Sequence, residues 1–272
     1  MSAIWGQEVP VPGALRPWVA DVRVATADAG RRRILAHLPD TATALVFRAL
    51  DDRQGDLMVV GPRTRAVYHP GKHVPFGLRL RLRPSRAALL LGVPVSELAD
   101  RVVPLRELWG ASGDRLVGEL SEQGHDHAPV LRRIGAELLA RVSRATSDDR
   151  SRSDLVRAAI TALSATSGDR PGRVPEVARR LGVSERHLRG LVTGGVGVSP
   201  KRLVRIHRLR TVLARAQAGS WARLAVEAGY YDQSHFTGEF RRTMGVSPGS
   251  FITGRLPAPA PCRPEAPIMS HP

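Results

Sequence analysis

Cysteine, lysine and long apolar runs are all scarce in this 272-residue sequence. Cys262 is the only cysteine, so a disulfide within the chain and a cysteine-based zinc site are both excluded. No apolar run approaches the roughly 18 residues that a membrane-spanning helix needs. The first residues lack the basic start and the apolar core of a signal peptide, so we expect a cytoplasmic protein without membrane partners.

Although lysine is nearly absent, the chain is strongly basic. Of the 41 basic residues only Lys72 and Lys201 are lysines, and the formal net charge is +16. Residues 170–256 contain 16 of the basic residues and only 5 acidic ones, a local charge of +11. A charge excess concentrated in one segment is typical of a module that binds a polyanion such as nucleic acid.

The first part of the chain has the alternation of β-strands. Its clearest run, Phe76–Arg83, places three leucines on one face and three arginines on the other. Six short runs separated by turn residues predict a small sandwich or barrel. These runs are Val19–Thr26, Arg33–Leu38, Ala44–Leu50, Asp56–Val60, Arg65–Tyr68 and Phe76–Arg83.

Helical patterns follow the strands. The predicted helices of this part are residues 84–92, Asp114–Gln123, Val130–Arg144 and Asp154–Ala165, with a polar break at Thr146–Ser153. A second polar break, Thr166–Arg173, separates a first domain, residues 1–165, from a second domain, residues 166–256. Residues 257–272 contain six prolines and little to bury, which predicts a disordered tail.

Two segments of the second domain repeat each other at a spacing of 48 residues. Ser199-Pro200 recurs as Ser247-Pro248, and the positions before each pair also match. The matching pairs are His187 with His235, Leu188 with Phe236, Gly190 with Gly238, Val192 with Phe240 and Gly197 with Gly245. A doubled helix-turn-helix pattern in a basic segment indicates DNA binding.

Each copy predicts a supporting helix followed by a reading helix. Ser184 and Asp232 stand at the N-cap of the two reading helices, because their side-chain oxygens can accept a free backbone N–H. The predicted helices of this domain are Pro175–Leu181, Glu185–Val192, the connecting helix Lys201–Ala216, Trp221–Ala228, Gln233–Thr243 and a last short helix that begins at Ser247-Pro248 and contains Phe251.

A helix fits the major groove, where arginine favours guanine and glutamine favours adenine. Two reading helices on one connector are expected to enter adjacent grooves about 34 Å apart, with further arginines on the phosphates. The predicted DNA-contacting residues are Ser184, Arg186, His187, Arg189, Arg205, Gln233, Ser234, His235, Thr237, Arg241 and Arg242. For the two histidines, a contact to the DNA backbone and a purely structural role both stay open.

From about Val174 to Thr253 the sequence resembles the AraC/XylS family of bacterial transcription regulators. The stretch from Gly229 to Pro248, GYYDQSHFTGEFRRTMGVSP, is close to the family signature. This resemblance implies a transcription regulator in which the second helix of each copy reads double-stranded DNA. It also implies a module that senses a small-molecule effector or forms a homodimer and, for an activator, RNA polymerase as a partner. The sign of regulation and the choice between monomer and dimer stay open.

Residues 59–65 and 89–110 resemble the cupin-like sensor domains attached to some members of this family. The expected fold class is therefore α+β. A β-rich, cupin-like N-terminal domain with trailing helices precedes an all-α C-terminal domain of two helix-turn-helix units joined by a long helix.

Two departures from the family pattern concern the reading helices. The family usually has arginine at the positions of Gly190 and Gly238, and phenylalanine at the position of Val192. A glycine inside a helix costs about 1 kcal/mol relative to alanine. Because Gly194 and Gly195 follow in copy one, we expect a frayed first reading helix and a firmer second one.

Two other functions compete with this interpretation. His37, His69 and His73 could offer imidazoles to a metal, as in a cupin-type metal-dependent enzyme with an appended DNA-binding module. No carboxylate lies at a matching spacing, so we expect surface histidines, no metal, no cofactor and no catalytic residue. A non-specific nucleoid-type binder is the third hypothesis, and it predicts equal affinity for random DNA.

Overall fold

The computed structural model describes residues 5–26, 34–51, 54–70, 74–164, 166–167, 170–215 and 221–260. Its strands are β1 Gln7–Val9, β2 Val19–Thr26, β3 Ile34–His37, β4 Ala44–Ala49, β5 Gly55–Val60, β6 Val67–Pro70, β7 Phe76–Leu82, β8 Val102–Pro104, β9 Thr166–Ser167 and β10 Arg170–Pro171. Its helices are α1 Ala87–Leu91, α2 Arg106–Trp109, α3 Ala111–Glu122, α4 His127–Arg144, α5 Ser147–Ser164, α6 Val174–Arg180, α7 Glu185–Val196, α8 Pro200–Arg215, α9 Trp221–Glu227, α10 Gln233–Met244 and α11 Pro248–Ile252. This order of strands and then helices confirms the predicted α+β class. None of these helices is both long and apolar enough to cross a membrane.

Six strands form an antiparallel sheet in the order β1-β2-β7-β4-β5-β8. Along β7, Leu78, Leu80 and Leu82 are fully buried, whereas Arg79 and Arg81 are half-buried on the opposite face. The predicted alternation is confirmed, since successive strand residues point to opposite faces of a sheet. The edge strands β1 and β8 are additions that the sequence analysis missed.

Helices bury the apolar face of this sheet. The leucines of β7 pack in one core with Leu90 of α1, Leu120 of α3 and Leu138 of α4. Strands β3 and β6 pair separately as a two-stranded sheet, so the strands in the described ranges do not close into a single barrel. The helices after the strands supply the second layer, because one apolar sheet face must pack against another element.

Helix α5 begins at Ser147, seven residues before the predicted start. The reason is that Thr146 and Asp149 cap the helix reciprocally, within the polar run Thr146–Ser153 that the sequence pattern indicates as a break. The amide and hydroxyl of Thr146 both donate to Asp149 Oδ2, and the Asp149 amide donates back to Thr146 Oγ1 at 3.2 Å. This is the hydrogen-bond pattern of a capping box, which starts a helix instead of interrupting one. A similar effect extends α4, whose N-cap Asp126 accepts from the Ala128 amide.

Two hydrophobic cores lie along the helical part of the chain. The first combines α5, α6, α7 and the beginning of α8, and Val156 and Leu163 of α5 belong to it. The second combines the end of α8 with α9, α10 and α11. Helix α8 joins the two cores, with Leu203 in the first and Leu209 in the second. Helix α5 therefore packs with the helix-turn-helix segment, although the predicted boundary at residue 165 places it in the first domain.

The β-rich part also contacts the second helix-turn-helix unit directly. The buried hydroxyl of Tyr68 donates to the carbonyl of Met244 at 2.7 Å, and the Ala66 amide donates to the carbonyl of Thr243 at 2.8 Å. Residues 257–260 lie here as well, since the Ala260 amide donates to the carbonyl of Tyr68. The rest of the expected disordered tail, with Cys262, lies outside the described residues.

Candidate nucleic-acid interface

The first reading helix is α7, and its N-cap is the predicted one. Ser184 Oγ accepts a hydrogen bond from the His187 amide at 3.1 Å. The side chains of Arg186, His187 and Arg189 are exposed. Arg189 Nη2 lies 2.6 Å from Glu185 Oε2, a pairing that the sequence analysis missed. An exposed pair of this i,i+4 type contributes only about 0.3–0.5 kcal/mol, so Arg189 can exchange Glu185 for a base at little cost.

The expected fraying of the first reading helix is wrong. Helix α7 continues to Val196, four residues beyond the predicted end, and Gly197 closes it with a left-handed φ of 81°. A Cβ at Gly195 would lie 2.6 Å from a methyl carbon of Val156, so glycine allows α5 to pack closely on this helix. Tertiary packing thus offsets the low helix propensity of the glycines.

The second reading helix, α10, presents its predicted polar residues at the surface. Asp232 Oδ1 accepts a hydrogen bond from the His235 amide at 2.7 Å and caps the helix as predicted. Gln233, Ser234 and His235 are exposed, and Thr237 is half-buried. The exposed side chains lie beside the positively charged end of the helix, where a phosphate or a base edge is favourably bound.

Aromatic residues pack the buried face of α10 against the core of the second helix-turn-helix unit. Phe236 and Phe240 are fully buried, and the Phe240 ring centroid lies 5.6 Å from Trp221 and 5.7 Å from Phe251. Both pairs are edge-on, which is a favourable geometry for aromatic rings. In copy one, aliphatic residues of α7 take these places, and α5 supplies additional core. Which of the two readers is firmer therefore depends on α5 as well as on the repeat.

Gly190 and Gly238 lie on the exposed faces of α7 and α10. A Cβ at either position would have no neighbour within 4 Å, so the packing does not require glycine at either one. The structure offers no explanation for these two glycines.

The three arginines predicted to contact phosphates are in different environments. Arg205 Nε lies 3.4 Å from Glu239 Oε2, whose side chain is only 8% exposed. Arg242 lines a cleft together with Arg65 of the β-rich part. Arg241 is exposed and has no ion-pair partner within the part of the chain that the structure describes. Arg241 is therefore the one of the three that is most available to a DNA backbone.

The adjacent tyrosines have opposite environments. Tyr230 is 4% exposed, and its hydroxyl donates to Glu239 Oε1 at 3.3 Å. Burial, reinforced by Glu239, raises the pKa of Tyr230 above its ordinary value. Tyr231 is 91% exposed, directly before the cap of α10, and the sequence analysis did not place it in the site. Adjacent tyrosines give no local signal of which ring points inward.

Two of the three histidines considered for metal binding lie close together. The rings of His37 and His69 are 5.3 Å apart, and His69 Nδ1 lies 2.8 Å from the carbonyl oxygen of Ala260. Burial, with the nearby charges of Arg63 and other groups, lowers the pKa of His37 to about 3. Within the described ranges, no group of three or more histidine, cysteine, aspartate or glutamate side chains is placed to hold a metal. His73 lies outside those ranges.

Comparison with known proteins points to the same helices. A family model described as a helix-turn-helix domain matches residues 177–253, which run from α6 to the end of α11. A probable thc operon regulatory protein of Rhodococcus erythropolis is 34% identical over 99 residues, which cover 35% of this chain and 30% of that protein. The chain thus covers less than a third of the length of this relative.

Solved structures of ToxT from Vibrio cholerae are similar to the chain over most of its length. ToxT from strain O395 has a TM-score of 0.42 and 10% identity, and the match covers 85% of this chain and 95% of ToxT. Unsaturated fatty acid-bound ToxT from strain SCE256 has a TM-score of 0.39 and 12% identity, covering 87% of this chain and 97% of that one.

Proposed function

We propose that this chain, whose residues 177–253 match a helix-turn-helix family model, is a sequence-specific DNA-binding transcription regulator of the AraC/XylS type. Two capped helices with exposed polar faces, α7 and α10, support this function most directly. They belong to separate cores that share one connecting helix, α8, of 16 residues and hence about 24 Å in length. A rigid connection of this kind fixes the separation of two readers, as binding to successive major grooves requires.

The β-rich part is proposed to control the readers. It contacts the first unit through α1, which packs on α7, and the second unit through the Tyr68 hydroxyl and the Ala66 amide. A ligand or protein partner with different affinities for two arrangements of these contacts would shift the population of DNA-competent molecules. Binding as a homodimer and contact with RNA polymerase are further proposals of the same model.

The reading residues can be tested by substitution. Arg189→Ala and Gln233→Ala should each weaken binding to the preferred duplex by about 1–3 kcal/mol, or roughly 5- to 150-fold, because each removes contacts to one base pair. The preferred duplex is first obtained by selecting bound fragments from a random pool. Dissociation constants are then measured at fixed salt for the selected duplex and for variants of each half of the site.

Arg115→Ala is the matched control, since Arg115 is an exposed arginine on α3, away from both readers. The affinity of the Arg115→Ala variant for the selected duplex should equal that of the unsubstituted protein. Unchanged specificity in both reader variants would contradict the assignment of Arg189 and Gln233. Failure of any motif to enrich in the selection would instead favour the non-specific nucleoid-type binder.

Arg241→Ala should weaken binding to all sequences equally. Arg241 is expected to contact a phosphate, so its loss removes one released counterion and lowers the slope of log K against log salt by about 1. Affinities for the selected duplex and for random duplexes are compared between 50 and 200 mM salt, an interval over which such effects are large. A loss confined to the selected duplex would show that Arg241 reads a base.

A further inference from the structure

A cleft lies where the β-rich part meets the helix-turn-helix part. Its walls come from three separate elements: the segment before β6, the connecting helix α8 and the C-terminal turn of the second reading helix α10. Its volume is about 60 Å³, and four of its lining residues are arginines. They are Arg65, Arg202, Arg205 and Arg242.

The positive charge in this cleft is largely uncompensated. Arg205 pairs with Glu239 at 3.4 Å, and the other oxygen of that carboxylate accepts the hydroxyl of Tyr230. The side chains of Arg65, Arg202 and Arg242 make no hydrogen bond or ion pair with any residue that the structure describes. Three exposed arginines that line one cleft therefore have no counter-charge among the described residues, an arrangement that favours an anion of more than one charge.

The segment that carries Arg65 is fixed by hydrogen bonds on both sides. Thr64 donates its amide to Asp100 Oδ1 at 2.6 Å, and the Asp100 amide donates to the Pro62 carbonyl at 2.7 Å. On the other side, the Ala66 amide donates to the Thr243 carbonyl at 2.8 Å. The backbone that presents this guanidinium is thus ordered before any ligand arrives, which reduces the entropy lost on binding.

Close approach of two backbones fixes the same segment further. A Cβ at Gly61 would lie 1.7 Å from the carbonyl oxygen of Leu98, so only glycine fits there. Asp100 itself has a left-handed φ of 59°, a conformation that aspartate adopts more readily than most residues other than glycine. These contacts hold the segment that carries Arg65 in one conformation.

We propose that this cleft binds a small oxyanion of two or more charges, a phosphate or pyrophosphate group carried by an effector. Planar guanidinium groups bind such oxygens through paired hydrogen bonds, and a single carboxylate would balance only one of the three free arginines. The small volume of the cleft accommodates a group of a few atoms. The buried side chain of Ile206 forms an apolar part of the lining.

A ligand in this cleft would bridge the two parts of the chain, because Arg65 belongs to the β-rich part and Arg202 to the connecting helix. Neutralising the charges of Arg65 and Arg202 would favour the arrangement in which the β-rich part and the connecting helix stay in contact. Regulation by this anion rests on the proposed function, because the anion would be the effector of the DNA-binding regulator. Binding of the anion to the cleft does not depend on that function.

The test uses the full chain and inorganic pyrophosphate at constant ionic strength. Isothermal calorimetry should detect one site in the unsubstituted protein. Arg65→Ala and Arg202→Ala should each raise the dissociation constant about tenfold or more, since each removes a charge-assisted hydrogen bond. Arg65→Lys should weaken binding less than Arg65→Ala, because lysine keeps the charge and loses the paired geometry. Arg115→Ala, the control on α3, should leave binding unchanged.

Three results would overturn the proposal. Absence of pyrophosphate binding by a protein that still binds its selected duplex would reject the cleft and leave the proposed function intact. Binding that is insensitive to both Arg65→Ala and Arg202→Ala would place the anion elsewhere. A loss of affinity for random duplex in Arg65→Ala, without added anion, would show that the cleft holds a DNA phosphate instead.

Discussion

Replacing Phe240 by alanine is expected to reduce the free energy of unfolding of the second helix-turn-helix unit by about 3–5 kcal/mol. Phe240 is fully buried, and its ring lies 5.5–5.7 Å from those of Phe236, Trp221 and Phe251. Its removal takes away the apolar area of the ring and leaves a cavity among three aromatic groups. The loss is measured by chemical denaturation followed through helical circular dichroism.

The control for this substitution is Tyr231→Ala. Tyr231 is 91% exposed, so its loss should change stability by no more than about 0.5 kcal/mol. Because the position of α10 depends on the core that it packs against, Phe240→Ala should also abolish binding to the half of the selected duplex that α10 is proposed to read. A stability change below about 1 kcal/mol would mean that these rings do not form a tightly packed core.

The second large effect concerns Asp40, which connects the β-sheet to the connecting helix. Arg81 donates to its two oxygens at 2.7 and 3.0 Å, and Arg210 of α8 lies 3.1 Å from Oδ2. The Asp40 side chain is 22% exposed, so the pairing is largely shielded from water. Asp40→Ala should destabilise the chain by about 2–4 kcal/mol, because it leaves the guanidinium groups of Arg81 and Arg210 close together, and the remaining nearby carboxylate, Asp21, lies 3.7 Å from Arg81 and is shared with Arg79.

The contribution of Asp40 should depend on pH. Burial by itself raises the pKa of this carboxyl, but hydrogen bonding to Arg81 and the charge of Arg210 outweigh burial, so the pKa lies below its ordinary value. The folded chain thus binds the proton less tightly than the unfolded chain. The stabilisation is complete above the unfolded pKa of about 3.9 and is lost as the pH falls through the lower folded value.

Asp40→Asn provides the matched comparison, since asparagine has the same shape and no charge to lose. The difference in unfolding free energy between the unsubstituted chain and this variant should be largest near pH 7 and should shrink below about pH 4. A difference that stays constant down to pH 3 would contradict the role of the Asp40 charge.

Local sequence patterns were sufficient to predict where the reading helices begin and which face of β7 is buried. The caps Ser184 and Asp232 and the strand Phe76–Arg83 depend on residues within a few positions of each other. Their periodicity therefore predicts which side chains face inward. The same locality explains the errors. Thr146 and Asp149 form a cap that was interpreted as a break, and the glycines after Val192 suggested fraying that packing against α5 prevents.

The sequence by itself determined that two helix-turn-helix units follow a β-rich segment, and it placed the candidate DNA-reading residues on their second helices. Only the tertiary structure decided that α5 supports the first reader, that Arg205 pairs with Glu239, and that Arg65 faces Arg202 and Arg242 across a cleft. The physical reason is the range of the interactions. Helix caps and periodic apolar faces are set by neighbours along the chain, whereas these contacts join segments between 34 and 177 residues apart, whose approach depends on how whole cores pack together.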